Sequence, residues 1–220
     1  MPIPPRKRRK TSQMMTIDAQ VVKDLRVRTG AGIMDCKEAL LECDGNVEQA
    51  IDFLRKKGIA KAEKKAGRKA DQGVVLSYIH PGNRIGVLVE VNCETDFVAK
   101  TNGFQGFVKD VAMQIAATNP LAVTRDAMES SVVEKEKEIF SEQAKESGKP
   151  ENIIKKIVDG RLEKFFQESC LLEQPFIKDG DKSVQDILTE TIATLGENIS
   201  IARFSRYEVG EALSSNGQAD

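Results

Sequence analysis

The stretch Val87–Lys100, VLVEVNCETDFVAK, decides how the rest of the chain is read. Val87, Val89 and Val91 alternate with Leu88, Glu90 and Asn92, the period-2 pattern of a strand with β-branched residues on one face. The strand then hands over to a helix start. Thr95 stands where an N-cap belongs, and Asp96 follows in the first turn, where a carboxylate suits the positive end of a helix. Phe97 is the odd member. A ring beside an acid at a helix entrance either packs into the chain's own core or projects as a wedge. Residue type alone puts core burial first, because apolar aromatics usually sit inside.

Around this stretch, residues 73–92 predict a hairpin: Val74–His80 as one strand, His80-Pro81-Gly82-Asn83 as the turn, Arg84–Asn92 as the return. Ile199–Val209 alternates as a third strand beside it. Phe104, Phe107, Val108, Val111, Ile115 and Ala116 recur at helical spacing over 102–118, and Asn119-Pro120 ends that helix. A charged helix is expected over 128–147, with Val132, Val133, Ile139 and Phe140 among its few apolar residues. Gly148-Lys149-Pro150 breaks it. Ile153, Ile154, Ile157, Val158, Leu162, Phe165 and Phe166 form the apolar stripe of the next helix. Asp179-Gly180-Asp181 reads as a loop, and Val184, Ile187, Leu188, Ile192 and Leu195 line another helix.

Residues 16–58 read as three short helices. Val21, Val22 and Leu25 line the first, which Thr29-Gly30 closes. Ile33, Met34, Ala39, Leu40 and Leu41 give the second its apolar face. Asn46 caps the third, with Gln49 placed to reach back and Val47, Ala50, Ile51 and Leu54 facing inward. Such a unit resembles a ubiquitin-associated-type domain. Residues 55–69 then carry eight Lys or Arg against one Glu. They read as a solvated, partly helical linker, with non-specific attraction to RNA phosphates or an acidic partner as the sharper alternative. The expected organisation is a basic, disordered extension (1–14), a three-helix head (15–58), a basic linker (59–72), an α+β core and dimerisation domain (73–209) and a flexible tail (210–220). The fold class is α+β, with a small antiparallel sheet of about three strands packed by helices.

Composition narrows the chemistry. The chain has 220 residues, 40% hydrophobic and 30% charged, a soluble globular balance. Its net charge of −1, lack of Trp and two Tyr argue against a specific nucleic-acid binder. No apolar run approaches the roughly 20 residues of a membrane helix. Cys36, Cys43, Cys93 and Cys170 form no CxxC, and a single His stands with them, so reduced thiols are expected rather than zinc. The compartment expected is the cytoplasm, with an organelle such as a plastid as the alternative. MPIPPRKRRKTSQM lacks the apolar core of a secretory signal.

Enzyme constellations carry no weight. His80 falls in a turn and reads as a surface residue rather than a general base. Arg28–Gly32, RTGAG, lacks the GK[ST] of a phosphate loop. Glu94 and Asp96 need not converge on a metal. No cofactor is expected.

Four separated stretches carry a family resemblance: RTGAGIMDCKEAL (Arg28–Leu40), TDFVAK (Thr95–Lys100), SGKPENIIKKIVDGRLEKF (Ser147–Phe165) and QPFIKD (Gln174–Asp179). In this order they closely resemble elongation factor Ts, over about residues 16–210. The resemblance implies a guanine-nucleotide exchange factor for elongation factor Tu in bacterial-type translation, meeting its GDP-bound and nucleotide-free forms. It reverses the ordering at Phe97. Asp96 and Phe97, within Thr95–Val98, would enter between helices of the partner's GTPase domain and displace groups that hold Mg²⁺ and the β-phosphate. Arg26, Ile33, Met34 and Lys37 fall where the family's head binds that domain, although core packing is the plain alternative for Ile33 and Met34. Glu38 departs from the second Lys common in the family and lowers the charge of that patch. One hairpin-plus-TDF unit resembles the short form, for which a homodimer is expected. The competing reading is a ribosome- or chaperone-associated adaptor with a ubiquitin-associated-like binding head and no exchange activity.

Overall fold

A computed structural model describes residues 17–146 and 148–211. The expected basic extension, Ser147 and most of the expected tail lie outside the described residues. The chain divides into two compact units, one up to Lys57 and one from Gly58 onward.

The first unit holds α1 (Ala19–Thr29), α2 (Ile33–Glu42) and the start of α3 (Val47–Glu63). Asp18 caps α1 by accepting the Gln20 N–H at 2.9 Å, and Gly30 closes it in the left-handed region (φ 67°). Asn46 caps α3 by accepting the Gln49 N–H at 3.1 Å. Val22, Leu25, Cys36, Ala39, Leu40, Ala50 and Leu54 form a small core. The face expected of α2 needs correcting. Ala39 and Leu40 point inward, whereas Ile33, Met34 and Leu41 are 55%, 72% and 45% exposed. Cys36 fills the inner face one turn before Leu40, so Ile33 and Met34 at the helix start are not needed to close the core.

The third helix does not stop near Gly58 but runs on to Glu63. Lys and Ala are good helix formers, and one interior Gly costs only ~1 kcal/mol. The following residues are held to the second unit: Asn198 Nδ2 donates to the Arg68 carbonyl at 2.7 Å, and the Lys65 ammonium to the Gly196 carbonyl.

The second unit is built on a three-stranded antiparallel sheet in the order β1 (Gln72–Ile79), β2 (Ile85–Cys93), β5 (Ile199–Glu208). Val87, Val89 and Val91 point to the buried face as the alternation predicts. There they meet Phe104, Phe107, Val108, Val111 and Ile115 of α5 (Asn102–Thr118) and Val184, Leu188 and Ile192 of α8 (Val184–Leu195). A bulge in β5 opposite Glu90/Val91 bends the strand near its start. Ser183 and Asp186 form a reciprocal capping box at the head of α8.

Two other expectations shift. Asp179–Ser183 is strand β4, not a loop, and pairs with β3 (Pro175–Phe176). The buried Gln114 side chain explains this: its Nε2 donates to the Pro175 carbonyl at 3.1 Å, and its Oε1 accepts the Ile177 N–H at 2.9 Å. The charged helix α6 starts at Ser130 rather than Met128 and ends at Lys145. It packs on α7 (Glu151–Ser169), whose apolar stripe is covered only in part: Val158 is buried, yet Ile153 is 41% exposed. At the base of this hairpin Arg125 makes paired hydrogen bonds to Glu163 (both 2.8 Å) and Glu173 (2.6 and 2.7 Å), and stacks 4.6 Å over Phe166.

Two glycines of this unit should respond in opposite senses. Gly73 has φ 148°, and a Cβ there would lie 2.2 Å from the Val91 carbonyl oxygen, whereas a Cβ on Gly106 in α5 meets nothing within 4 Å. In urea unfolding, Gly73→Ala is expected to lose at least ~1–3 kcal/mol and Gly106→Ala to gain ~0.4–1 kcal/mol.

Candidate functional site

Where β2 ends at Cys93, the chain turns into α4 (Asp96–Ala99), a single helical turn capped by Thr95. Every polar atom of Thr95 is engaged. Its N–H donates to Glu197 Oε2 at 3.0 Å and its hydroxyl to Glu197 Oε1 at 2.6 Å. The same hydroxyl oxygen accepts the Val98 N–H at 3.3 Å. Its carbonyl accepts the Cys93 thiol at 3.1 Å and the Ala99 N–H at 3.3 Å. Glu197 Oε2 also takes the Glu94 N–H at 3.1 Å. In return, the Glu94 carboxylate accepts the Asn198 N–H at 2.6 Å and faces Arg68 at 3.6 Å. The turn after β2 and the turn between α8 and β5 thus hold one another by an exchange of side chains.

The residues that follow Thr95 divide sharply. Ala99 is buried, and Val98 is half-buried against the core. Asp96 and Phe97 face outward, and the Phe97 ring is 80% exposed. Core burial, the first expectation from residue type, is therefore overturned. A helix of one turn has only one inward face, and Val98 and Ala99 occupy it. The Lys100 ammonium reaches back to Asp96 at 2.7 Å, and this hydrogen bond holds the Asp96 carboxyl below the usual carboxylate range. Cys93 lies beneath the turn, its thiol pushed up by burial.

In the first unit Arg26, Ile33, Met34 and Lys37 are all exposed. Val27, 79% exposed, extends the apolar surface of this head and was not singled out from the sequence. Glu38 is paired with Lys57 at 2.7 Å, and Lys57 also reaches Asp35 at 2.9 Å. The acid at 38 is thus answered by a cation on α3. Sequence reasoning also missed Glu197 and Asn198, the acceptor and donor that hold the Thr95 turn.

Among the described residues no group of three or more His, Cys, Asp or Glu could hold a metal ion. The four cysteines are free thiols. His80 is exposed, with Nδ1 3.1 Å from the Tyr78 hydroxyl. No helix among the described residues is long and apolar enough to cross a membrane.

The Asp96–Lys100 pair fixes a pH response. Because the folded-state value is lowered, its stabilising contribution is full above the ordinary Asp value of ~3.9 and is lost as pH falls through the lowered value. An NMR titration should place Asp96 below an ordinary Asp, and Lys100→Met should move its midpoint upward.

Comparison with known proteins places the chain among known sequences. The family model described as Elongation factor TS matches residues 58–211. Elongation factor Ts of Syntrophomonas wolfei is 64% identical over 197 residues, covering 90% of this chain and 92% of the relative. That of Geotalea daltonii is 63% identical over 199 residues, with 90% and 92% covered. That of Thermoanaerobacter sp. (strain X514) is 59% identical over 200 residues, with 91% and 98% covered. On the match of most of its length and these identities, the chain belongs to the elongation factor Ts family of translation elongation factors.

Proposed function

We propose that this chain promotes GDP release from elongation factor Tu, binding the GDP-bound and nucleotide-free forms, with Asp96 and Phe97 as a wedge that enters the partner's GTPase domain and disturbs its magnesium and phosphate site. The observation that carries this reading is the Phe97 ring, 80% exposed on a turn whose base is fully hydrogen-bonded. A free protein gains nothing from holding a ring in water. Burying it in a partner contributes ~1.5–3 kcal/mol, available only in the complex. Thr95 and Val98 flank the wedge. In the head, Arg26, Ile33, Met34 and Lys37 supply a second contact of two apolar and two cationic side chains.

Exchange of this kind needs no covalent step and no cofactor. A factor that binds the nucleotide-free GTPase more tightly than the GDP-bound one must, by linkage, be weakened by GDP to the same degree, typically by ~1–3 kcal/mol. GDP is held through a metal and oriented backbone N–H groups, so a small displacement of the partner's helices removes several charge-assisted contacts together. The place of work in this reading is the cytoplasm or an organelle such as a plastid, with no membrane and no specific nucleic acid as partner.

A homodimer belongs to the same proposal. The outer face of the sheet exposes Val75, Ile79, Leu88 and Tyr207 (48–70% exposed), crossed by the Glu90–Arg203 ion pair at 2.7 Å. This exposed face, apolar side chains about a central ion pair, is the surface through which two copies would pair.

Two measurements test these readings. Phe97→Ala should lower the GDP-release rate at saturating factor by ~10–100-fold while the melting temperature stays within ~2 °C; equal collapse of folding would return Phe97 to a structural role. In sedimentation, Leu88→Glu should convert a dimer to a folded monomer, and a wild-type monomer at tens of micromolar would remove the dimer.

A further inference from the structure

We infer that Glu197 is a positioning residue for the exchange wedge. Its carboxylate fixes the direction in which Asp96 and Phe97 leave the body of the second unit, and so sets the rate of GDP release rather than the affinity for the GTPase. This inference rests on the wedge reading above.

Glu197 lies in the short turn between α8, closed by Gly196 in the left-handed region (φ 78°), and β5. From there its two oxygens take three hydrogens: the N–H groups of Glu94 and Thr95 on Oε2, and the Thr95 hydroxyl on Oε1. The hydroxyl is a relay. It donates to the carboxylate and accepts the Val98 N–H, so the carboxylate also orients the first turn of α4. The outer end of the relay is the wedge itself, two residues whose side chains take no part in the core. The effort of the network is thus spent on the base, while the tip remains in water.

The turn holding Glu197 is itself braced. Asn198, 92% buried, donates its N–H to Glu94 at 2.6 Å and its side-chain amide to the Arg68 carbonyl at 2.7 Å. A carboxylate suits this place because it is an acceptor only, with two oxygens. Gln at 197 would offer one acceptor oxygen and an NH₂ group that only donates. It could take the two backbone N–H groups, but its amide would then donate towards Thr95 and compete with Val98 for the hydroxyl oxygen. A preorganised group contributes most where the partner must be distorted, because no binding energy is lost in ordering the group first.

The test measures GDP release from elongation factor Tu as a function of factor concentration, with full-length Glu197→Gln, Glu197→Ala, Thr95→Val, the Glu197→Ala/Thr95→Val pair, and Phe97→Ala. Melting and amide hydrogen exchange are followed on the same proteins. Glu197→Gln is expected to melt within a few degrees of the unaltered chain. Its maximal release rate should fall about tenfold while the half-saturating concentration changes less than about twofold. The Glu94, Thr95 and Val98 amides should exchange faster. Glu197→Ala and Thr95→Val should be non-additive, since each breaks the same relay. If Phe97→Ala is impaired while Glu197→Gln and Glu197→Ala both reach the unaltered maximal rate, the positioning role is overturned and the wedge survives. A Glu197 defect that disappears on cooling in step with melting also overturns it, as a purely structural effect. An unimpaired Phe97→Ala removes the wedge and, with it, this inference.

Discussion

A backbone that leaves a sheet must find new partners for its N–H groups. At the end of β2 the amides of Glu94 and Thr95 pass beyond the paired register, and a buried amide left without an acceptor costs ~1–3 kcal/mol. Glu197 answers both with one carboxylate oxygen, and Glu94 returns the favour to Asn198. These are charge-assisted bonds, stronger than neutral ones. Because the two turns serve each other, the end of β2, the end of α8 and the start of β5 are one unit of structure. The one-turn helix that presents Asp96 and Phe97 stands on it.

Much of this molecule was legible in its sequence where a pattern repeats. Val87, Val89 and Val91 carried the central strand, and Phe104 to Ile115 carried α5, because periods of two and 3.6 persist long enough to be read. Thr95 was legible as a cap because capping is local chemistry. The face of Phe97 was not legible from periodicity, since α4 has four residues and gives no period; only the resemblance carried by TDFVAK turned it outward. Glu197 was out of reach for another reason: the acid and its Thr95 partner are 102 residues apart, and nothing near Gly196 marks it as more than a polar turn residue. The strand at Asp179–Ser183 was hidden likewise, since a distant glutamine holds its hairpin.

One sequence signal had two structural outcomes. Apolar residues at the start of α2 and along α7 both suggested burial. Ile33 and Met34 are left outside because Cys36, Ala39 and Leu40 already make up the share of α2 in the small core of the head. The α7 stripe is partly covered, since α6 offers it few apolar partners and the tight packing gathers at the hairpin base around Met128, Cys170, Phe165 and Phe166. There Arg125 stacks over Phe166 while it pairs with Glu163 and Glu173, and these hydrogen bonds push its always-charged guanidinium further up.

The wide separation of Thr95 and Glu197 also bears on how the molecule comes into being. Chains are made from the amino end. The β1–β2 hairpin can close early, for its turn is short, but the other edge of β2 must wait for β5. Until residue 197 has been synthesised, the amides after Cys93 have no carboxylate to meet, and the Thr95 turn is held only by its local bonds. A nascent chain therefore carries the ring of Phe97 long before it carries the acid that anchors the turn beneath it.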